Sequence, residues 1–190
     1  KMKKLKLQMS MTVDGFVGRT NGEQDWIEWN QDEEFKSYYQ NEIIDSVDTL
    51  LMGRKMTTEF ISYWENIVDN QPDSDWNKFA QKMVDIPKIV FSKTIKTIEG
   101  KNTRVENGDL VTVVNELKNK SGKDILVYGG ATFVSSLIKN NLIDEYNLFV
   151  NHTAIGDGLK IFTDTTKLKL TKSKSYKCGV VAIQYKPDNG

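Results

Sequence analysis

The chain has 190 residues, 38% hydrophobic and 27% charged, which predicts one globular domain over residues 1–190. Its 26 basic residues balance 26 acidic ones, so no surface for nucleic acid is expected. Its apolar runs are far shorter than the ~20 residues that cross a bilayer. One cysteine and one histidine exclude a disulfide framework and predict no metal site. No signal-peptide pattern follows the N-terminal lysines, so we expect a cytoplasmic protein.

Strand and helix patterns alternate along the chain. Apolar residues with a period of two predict strands, and apolar residues three and four apart predict helices. Strands are expected at 5–11, 49–52, 88–92, 125–128 and 145–153, with a hairpin over 168–186 that turns near 178–179. Helices are expected at 32–46, 55–64, 109–119 and 131–139, with Asp32 as the N-cap of the first. This order predicts an α/β fold with a mostly parallel sheet and a C-terminal antiparallel hairpin.

Two glycine-containing segments join a predicted strand to a predicted helix. Gly53-Arg54-Lys55 is the first, and Gly129-Gly130 is the second. A helix that starts at the end of a strand directs its backbone N–H groups at an anion, and glycine lets the backbone approach a pyrophosphate closely. Two such segments in one small α/β domain favour a dinucleotide site, whereas each alone is also explained as an ordinary turn.

The third strand end offers hydroxyl and ammonium groups in Ser92, Lys93 and Thr94. A cluster of this kind favours NADP over NAD, because the free ribose hydroxyls of NAD usually bind an acidic side chain. A plain polar loop is the alternative. Asp14, Glu28 and Asp32 are the carboxylates nearest the predicted cleft.

Ordered motifs give the chain a family resemblance. Segments 10–18 (SMTVDGFVG), 51–55 (LMGRK), 89–93 (IVFSK) and 128–133 (YGGATF) occur in the order typical of the dihydrofolate-reductase-like superfamily. Segments 21–27 (NGEQDWI) and 154–162 (AIGDGLKIF) resemble small bacterial proteins similar to the reductase (C-terminal) domain of the riboflavin-biosynthesis deaminase–reductase. The resemblance implies an eight-stranded mostly parallel sheet flanked by helices, an NADPH site, and a homodimer.

The resemblance also implies roles for individual residues. Trp26 and Phe35 are expected on the substrate side, and Asp32 and Glu28 are the candidate proton donors. The family usually has a threonine at the position of Met56, and Thr57, one position later, is expected to take its place. The residues expected to bind NADPH are Ser10, Val17, Gly53, Arg54, Lys55, Thr57, Ser92, Lys93, Tyr128, Gly129, Gly130, Ala131 and Thr132.

The implied function is that of an NADPH-dependent oxidoreductase acting on a small pyrimidine- or pterin-like substrate. It resembles 5-amino-6-(5-phosphoribosylamino)uracil reductase, but the arginines that bind substrate in the related enzymes are missing, because Arg54 is the only arginine between Arg19 and Arg104. The alternatives are a riboflavin-pathway reductase that binds its phosphosugar through lysines such as Lys36, dihydrofolate reductase activity, and a non-catalytic NADP-binding protein.

Overall fold

We analysed a computed structural model that describes residues 2–28 and 31–188. The strands are β1 Leu5–Thr12, β2 Val47–Gly53, β3 Lys88–Phe91, β4 Thr103–Glu106, β5 Asp124–Gly129, β6 Glu145–Asn151, β7 Leu168–Ser175 and β8 Val181–Pro187. The helices are α1 Glu33–Tyr38, α2 Arg54–Asn70, α3 Asn77–Asp85, α4 Leu110–Lys118 and α5 Ala131–Lys139.

The eight strands form one sheet in the order β4-β3-β2-β5-β1-β6-β8-β7. Every pair from β4 to β6 is parallel, and β8 pairs antiparallel with both β6 and β7. The predicted α/β class, the mostly parallel eight-stranded sheet and the C-terminal hairpin are confirmed. In the part of the chain that the structure describes, no helix is both long and apolar enough to span a bilayer.

Hydrophobic cores cover both faces of the sheet. The period-two residues of β1, from Leu5 to Met11, belong to one core together with Val134 and Leu137 of α5. The opposite face packs Leu50 and Met52 of β2 against α1, α2 and α3. A central parallel sheet buried on both faces leaves its strand ends, rather than its faces, open to ligands.

The predicted helix at 32–46 is broken in the structure. The α-helix ends at Tyr38, and a π-helical turn over Tyr39–Ile43 and a 3₁₀ turn over Ile44–Ser46 follow it. The spacing of apolar residues does not distinguish an α-helix from a π-helical or 3₁₀ turn, because both can bury neighbouring residues such as Ile43 and Ile44. The change of pitch falls where Tyr39 enters the candidate site.

Candidate active site: a cleft at the carboxyl edge of the sheet

A cleft of about 1870 Å³ lies at the carboxyl ends of the parallel strands. The residues that line it include Ser10 near the end of β1 and the last residues of three other strands, Gly53 of β2, Phe91 of β3 and Gly129 of β5. Small-molecule sites usually measure about 300–1,000 Å³. The cleft therefore has room for two ligands side by side, such as a cofactor and a substrate.

Helices α2 and α5 begin in contact at one wall of the cleft. A Cβ on Gly130 would lie 3.5 Å from the Cα of Gly53, and a Cβ on Gly129 would lie 2.7 Å from the Sδ of Met56. Gly129 and Gly130 have φ angles of 134° and 90°, which L-amino acids rarely adopt. The paired glycines thus bring two helix N-termini to the same place.

Both N-termini leave backbone donors available. The N-cap residues of α2 and α5 are Gly53 and Gly130, which have no side chain that could cap the helix. The first N–H groups of α2 and α5 therefore lack helical partners, and the dipoles of both helices favour an anion there. Arg54 and Lys55 add positive charge, and Thr132 adds a hydroxyl, at the same wall. This arrangement suits a pyrophosphate.

The loop after β3 is held in a fixed shape. The Nδ2 group of Asn107 donates to the carbonyl oxygens of Ser92 at 2.6 Å and Ile95 at 2.8 Å. The Oγ of Ser92 accepts hydrogen bonds from the backbone N–H groups of Thr94 and Ile95, each at 3.2 Å. Lys93 makes no ion pair among the described residues, and it lines the cleft with Ser92. A phosphate ester could be bound here.

Ser10 and Val17 line the cleft on the side of β1. Val17 is fixed from both sides, because its N–H donates to Leu159 O at 2.9 Å and its carbonyl accepts from Gln24 Nε2 at 2.9 Å. The neighbouring turn is tied to a second loop through Asp14, whose carboxylate accepts from the N–H groups of Ile155 and Gly156.

Aromatic side chains enclose the end of the cleft nearest α1. We call this part the aromatic chamber; it is formed by Phe35, Tyr39, Phe60, Phe79, Tyr128 and Phe149. The Phe60 and Tyr128 rings lie 4.7 Å apart, and the Phe35 and Phe149 rings lie 5.1 Å apart. The parts of these rings that line the cleft give it an apolar wall against which a flat ligand can pack.

Two phenol groups meet in the aromatic chamber. The hydroxyl of Tyr39 donates to the hydroxyl of Tyr128 at 2.9 Å. Burial raises the pKa of Tyr39 well above its ordinary value. Burial also raises the pKa of Tyr128, although the hydrogen bond from Tyr39 acts in the opposite direction. Both side chains are therefore protonated, neutral hydrogen-bonding groups at physiological pH.

Four of the residues expected in the site do not line the cleft. Thr57 is fully buried, and its hydroxyl donates to Gly53 O at 2.8 Å, so it supports the turn from behind. Trp26 is buried. The Nε2 of His152 lies 3.4 Å from a carboxylate oxygen of Glu28, and both side chains are about half exposed.

Asp32, the fourth, has its two carboxylate oxygens occupied by backbone groups. Oδ1 accepts from Phe35 N at 3.0 Å, and Oδ2 accepts from Cys178 N at 2.8 Å. These bonds, that from Phe35 first, lower the pKa of Asp32. The predicted N-cap is thus confirmed, and Gln31 rather than Asp32 lines the cleft. All other residues expected to bind NADPH or substrate do line it.

Sequence reasoning did not single out most of the aromatic chamber. Tyr39 lies in a stretch rich in aromatic residues, together with Trp26, Phe35 and Tyr38, but helically spaced aromatic residues are more often core residues. Phe60 on α2, Phe79 on α3 and Phe149 on β6 are far apart in the sequence, and only the fold brings them together.

The fold and this cleft define a dihydrofolate-reductase-like α/β protein, and comparison with known sequences narrows the class. The sequence profile of the RibD C-terminal domain family matches residues 3–182, so the chain belongs to that family. The chain is 32% identical to the protein YyaP of Bacillus subtilis (strain 168) over 189 residues, which cover 97% of this chain and 95% of YyaP.

Solved structures agree with this fold. A candidate riboflavin biosynthesis protein from Shewanella sp. PV-4 superimposes with a TM-score of 0.72 at 21% identity, covering 98% of this chain and 99% of that one. The deaminase/5-amino-6-(5-phosphoribosylamino)uracil reductase of Thermotoga maritima gives 0.63 at 15% identity, with 98% of this chain matching 57% of that enzyme. Dihydrofolate reductase from Enterococcus faecalis, complexed with NADP(H), gives 0.60 at 13% identity and coverage of 98% and 97%.

Proposed function

We propose that the protein is an NADPH-dependent reductase of a small pyrimidine- or pterin-like substrate. The observation that supports it most is the contact between the N-termini of α2 and α5, which open into the same cleft as the aromatic chamber. Membership of a reductase-like family and the NADP(H) complex of a structurally similar enzyme support the same proposal. A homodimer in the cytoplasm, built from one domain per chain, remains a prediction from the resemblance and the composition.

The donors of the cleft fit the parts of a dinucleotide. Backbone N–H groups at Arg54, Lys55, Ala131 and Thr132 would hold the pyrophosphate. Ser92 and Lys93, at the end of the neighbouring strand β3, would hold a 2′-phosphate, which NADPH has and NADH lacks. Lys93, which makes no ion pair among the described residues, would then contribute to the preference for NADPH over NADH.

The remaining residues would position the reactants. NADPH supplies a hydride equivalent from its nicotinamide ring. Ser10 and Val17, on the wall next to β1, would hold that ring, and the hydrogen bonds on both sides of Val17 keep this wall in place. The aromatic chamber would hold the substrate and exclude water from it.

The proton that completes a reduction needs a separate donor. Asp32 and Glu28 were the candidates from the sequence, but neither lines the cleft and the carboxylate oxygens of Asp32 accept two backbone bonds. Our proposal therefore assigns Asp32 a role in positioning α1, and assigns proton supply to water.

A non-catalytic NADP-binding protein is the second candidate, and the occupied carboxylate of Asp32 favours it. Dihydrofolate reduction has less support. By resemblance, the acid that folate reductases carry on their first helix would fall near Gln31 or Asp32, but Gln31 is an amide and Asp32 does not line the cleft.

Cofactor titration followed by a turnover screen tests the proposal. We expect NADPH to quench tryptophan fluorescence saturably and to bind more tightly than NADH. We also expect oxidation of NADPH with at least one compound in a panel of pyrimidines and pterins that includes the substrate of the riboflavin-pathway reductase and dihydrofolate. A folded protein that binds neither cofactor would refute the proposal, and binding without turnover across the panel would establish the second candidate.

A further inference from the structure

The charges around the aromatic chamber do not suit an anionic substrate. Lys36 is the basic residue of α1 that lines this end of the cleft, and its Nζ donates to Glu33 Oε1 at 2.9 Å. Glu59 of α2 also lines the cleft and adds negative charge. Because Glu33 and Glu59 partly offset the charge of Lys36, a phosphate that entered the chamber would gain less electrostatic stabilisation here than beside Arg54 and Lys55.

Apart from Lys36, the cationic side chains that line the cleft are Arg54, Lys55 and Lys93, which follow the ends of strands β2 and β3. Arg54 begins α2, whereas Phe60 lies six residues further along the same helix, which corresponds to about 9 Å at the usual rise of 1.5 Å per residue. Lys93 follows β3, two strands from β5 and Tyr128. The phosphate-binding features therefore belong to the cofactor part of the cleft.

The phenol pair provides one directed donor inside the chamber. Because Tyr39 donates to the oxygen of Tyr128, the hydroxyl proton of Tyr128 is left over. Within residues 2–28 and 31–188, no protein group accepts that proton. Neither phenol acts as a base at neutral pH, since burial raises the pKa of both.

We infer that the substrate is an uncharged, planar heteroaromatic compound without a phosphate group, and that the hydroxyl of Tyr128 donates a hydrogen bond to its ring carbonyl. Tyr39 is a positioning residue that fixes the orientation of Tyr128. The inference deepens the proposed function, on which it rests, by naming the class of compound that occupies the chamber beside the cofactor.

Calorimetric titration of three simple compounds tests the inference without any need for turnover. Quinazoline-2,4-dione is a neutral bicycle with two ring carbonyls, naphthalene is a flat bicycle with no acceptor, and uridine 5′-monophosphate carries a pyrimidinedione on a ribose phosphate. Each is titrated with and without NADPH, so that occupation of the phosphate-binding part is controlled. We expect the dione to bind with a Kd below about 1 mM. In the presence of NADPH, uridine 5′-monophosphate should bind more weakly than the dione.

Tyr128→Phe removes the donor and keeps the ring. We expect it to weaken the dione about 2- to 12-fold, the range for loss of a neutral hydrogen bond, and to leave naphthalene unaffected. Tyr39→Phe should weaken the dione less, and it also tests the inference if Tyr128→Phe does not fold. Tyr38→Phe is the matched control, because Tyr38 precedes Tyr39 but does not line the cleft.

The outcomes separate the two proposals. Any of three results would overturn the inference. Tyr128→Phe could weaken the binding of the dione and of naphthalene equally, neither tyrosine variant could change binding of the dione, or the dione could fail to bind at all. The inference would also be overturned if uridine 5′-monophosphate bound more tightly than the dione in the presence of NADPH. If NADPH binds in these cases, the proposed reductase function survives. If binding of the dione depends on Tyr128 while NADPH does not bind, the inference about the chamber's ligand is supported and the proposed cofactor is wrong.

Discussion

A Cβ atom added to Gly53 would lie 2.8 Å from the Cβ of Phe133. Real side chains do not come so close, so the start of α2 approaches α5 as nearly as the backbone allows. Gly53 has a φ of −81°, which any residue adopts, and its requirement for glycine is therefore one of space. This contact sets the separation of the two helix N-termini in the cleft.

Gly53→Ala should lower the free energy of unfolding by about 1–3 kcal/mol, the usual cost of overpacking. Urea denaturation measures it. Because the obstructing atom is a Cβ, Phe133→Ala should not relieve the effect, whereas Phe133→Gly should. An equal cost of Gly53→Ala in the wild-type and Phe133→Gly backgrounds would contradict this account.

Lys93→Gln should weaken NADPH and leave NADH unchanged. The lost charged hydrogen bond predicts a decrease in NADPH affinity of about 10- to 100-fold. Fluorescence titration of both cofactors provides the measurement. Lys186→Gln on β8 is the control, because this exposed lysine lies outside the cleft lining. A parallel loss of NADH affinity would show that Lys93 contacts a part common to both cofactors.

Asp32→Ala should lower the melting temperature because it removes the N-cap of α1 and the partner of Cys178 N. Asp32→Asn should be milder, since asparagine caps helices well. We expect NADPH affinity to be unchanged in both variants. A loss of turnover in Asp32→Asn without loss of stability would instead make Asp32 a proton donor.

The same carboxylate should make stability depend on pH. The folded pKa of Asp32 is lowered from 3.8, chiefly by the bond from Phe35 N. The protonated form is therefore disfavoured in the folded state, and the stabilisation present above about pH 4 is lost as the pH falls towards the folded pKa. In this acidic range the free energy of unfolding of Asp32→Asn should fall less steeply with decreasing pH than that of the wild type. Identical slopes would exclude this contribution.

Lys88→Met should destabilise the protein although both side chains have similar length. Lys88 is buried, and its Nζ donates to the carbonyl oxygens of Met83, Val84 and Ile86 at 2.8–2.9 Å. Removing these bonds takes the side-chain donor from the carbonyls of Met83 and Ile86, whereas that of Val84 keeps its bond from Asn102 Nδ2, and we expect a cost of about 1–3 kcal/mol. Thermal and urea unfolding should show this loss, and the exposed Lys78→Met should not.

Local sequence signals predicted most of the elements because each buries residues with a regular period. Helix α5 and the strands beside it were placed within a residue or two. Strand β4 was not predicted, since its four residues have no apolar alternation and depend on pairing with β3. Helix α3 was also missed, although Phe79, Ala80, Met83 and Val84 share one helical face.

The candidate site divides in the same way. Glycine and basic residues next to strand ends have recognisable local patterns, and those residues line the cleft. The contact between Tyr39 and Tyr128 depends on a π-helical turn and on the order of strands. No pattern within a short window encodes either. Thr57 shows the opposite error, because its place in a motif suggested a ligand contact that its burial prevents.

The position of β1 in the sheet affects how the chain is made. Its partners are β5 and β6, with Leu5 paired to Ile125 and Lys6 paired to Glu145. A ribosome that adds about 5–20 residues per second needs on the order of ten seconds to produce those partners after β1. During that interval the apolar side chains from Leu5 to Met11 have no sheet to join. Nascent chains should therefore depend on chaperones, and fragments that end before β6 should aggregate rather than fold.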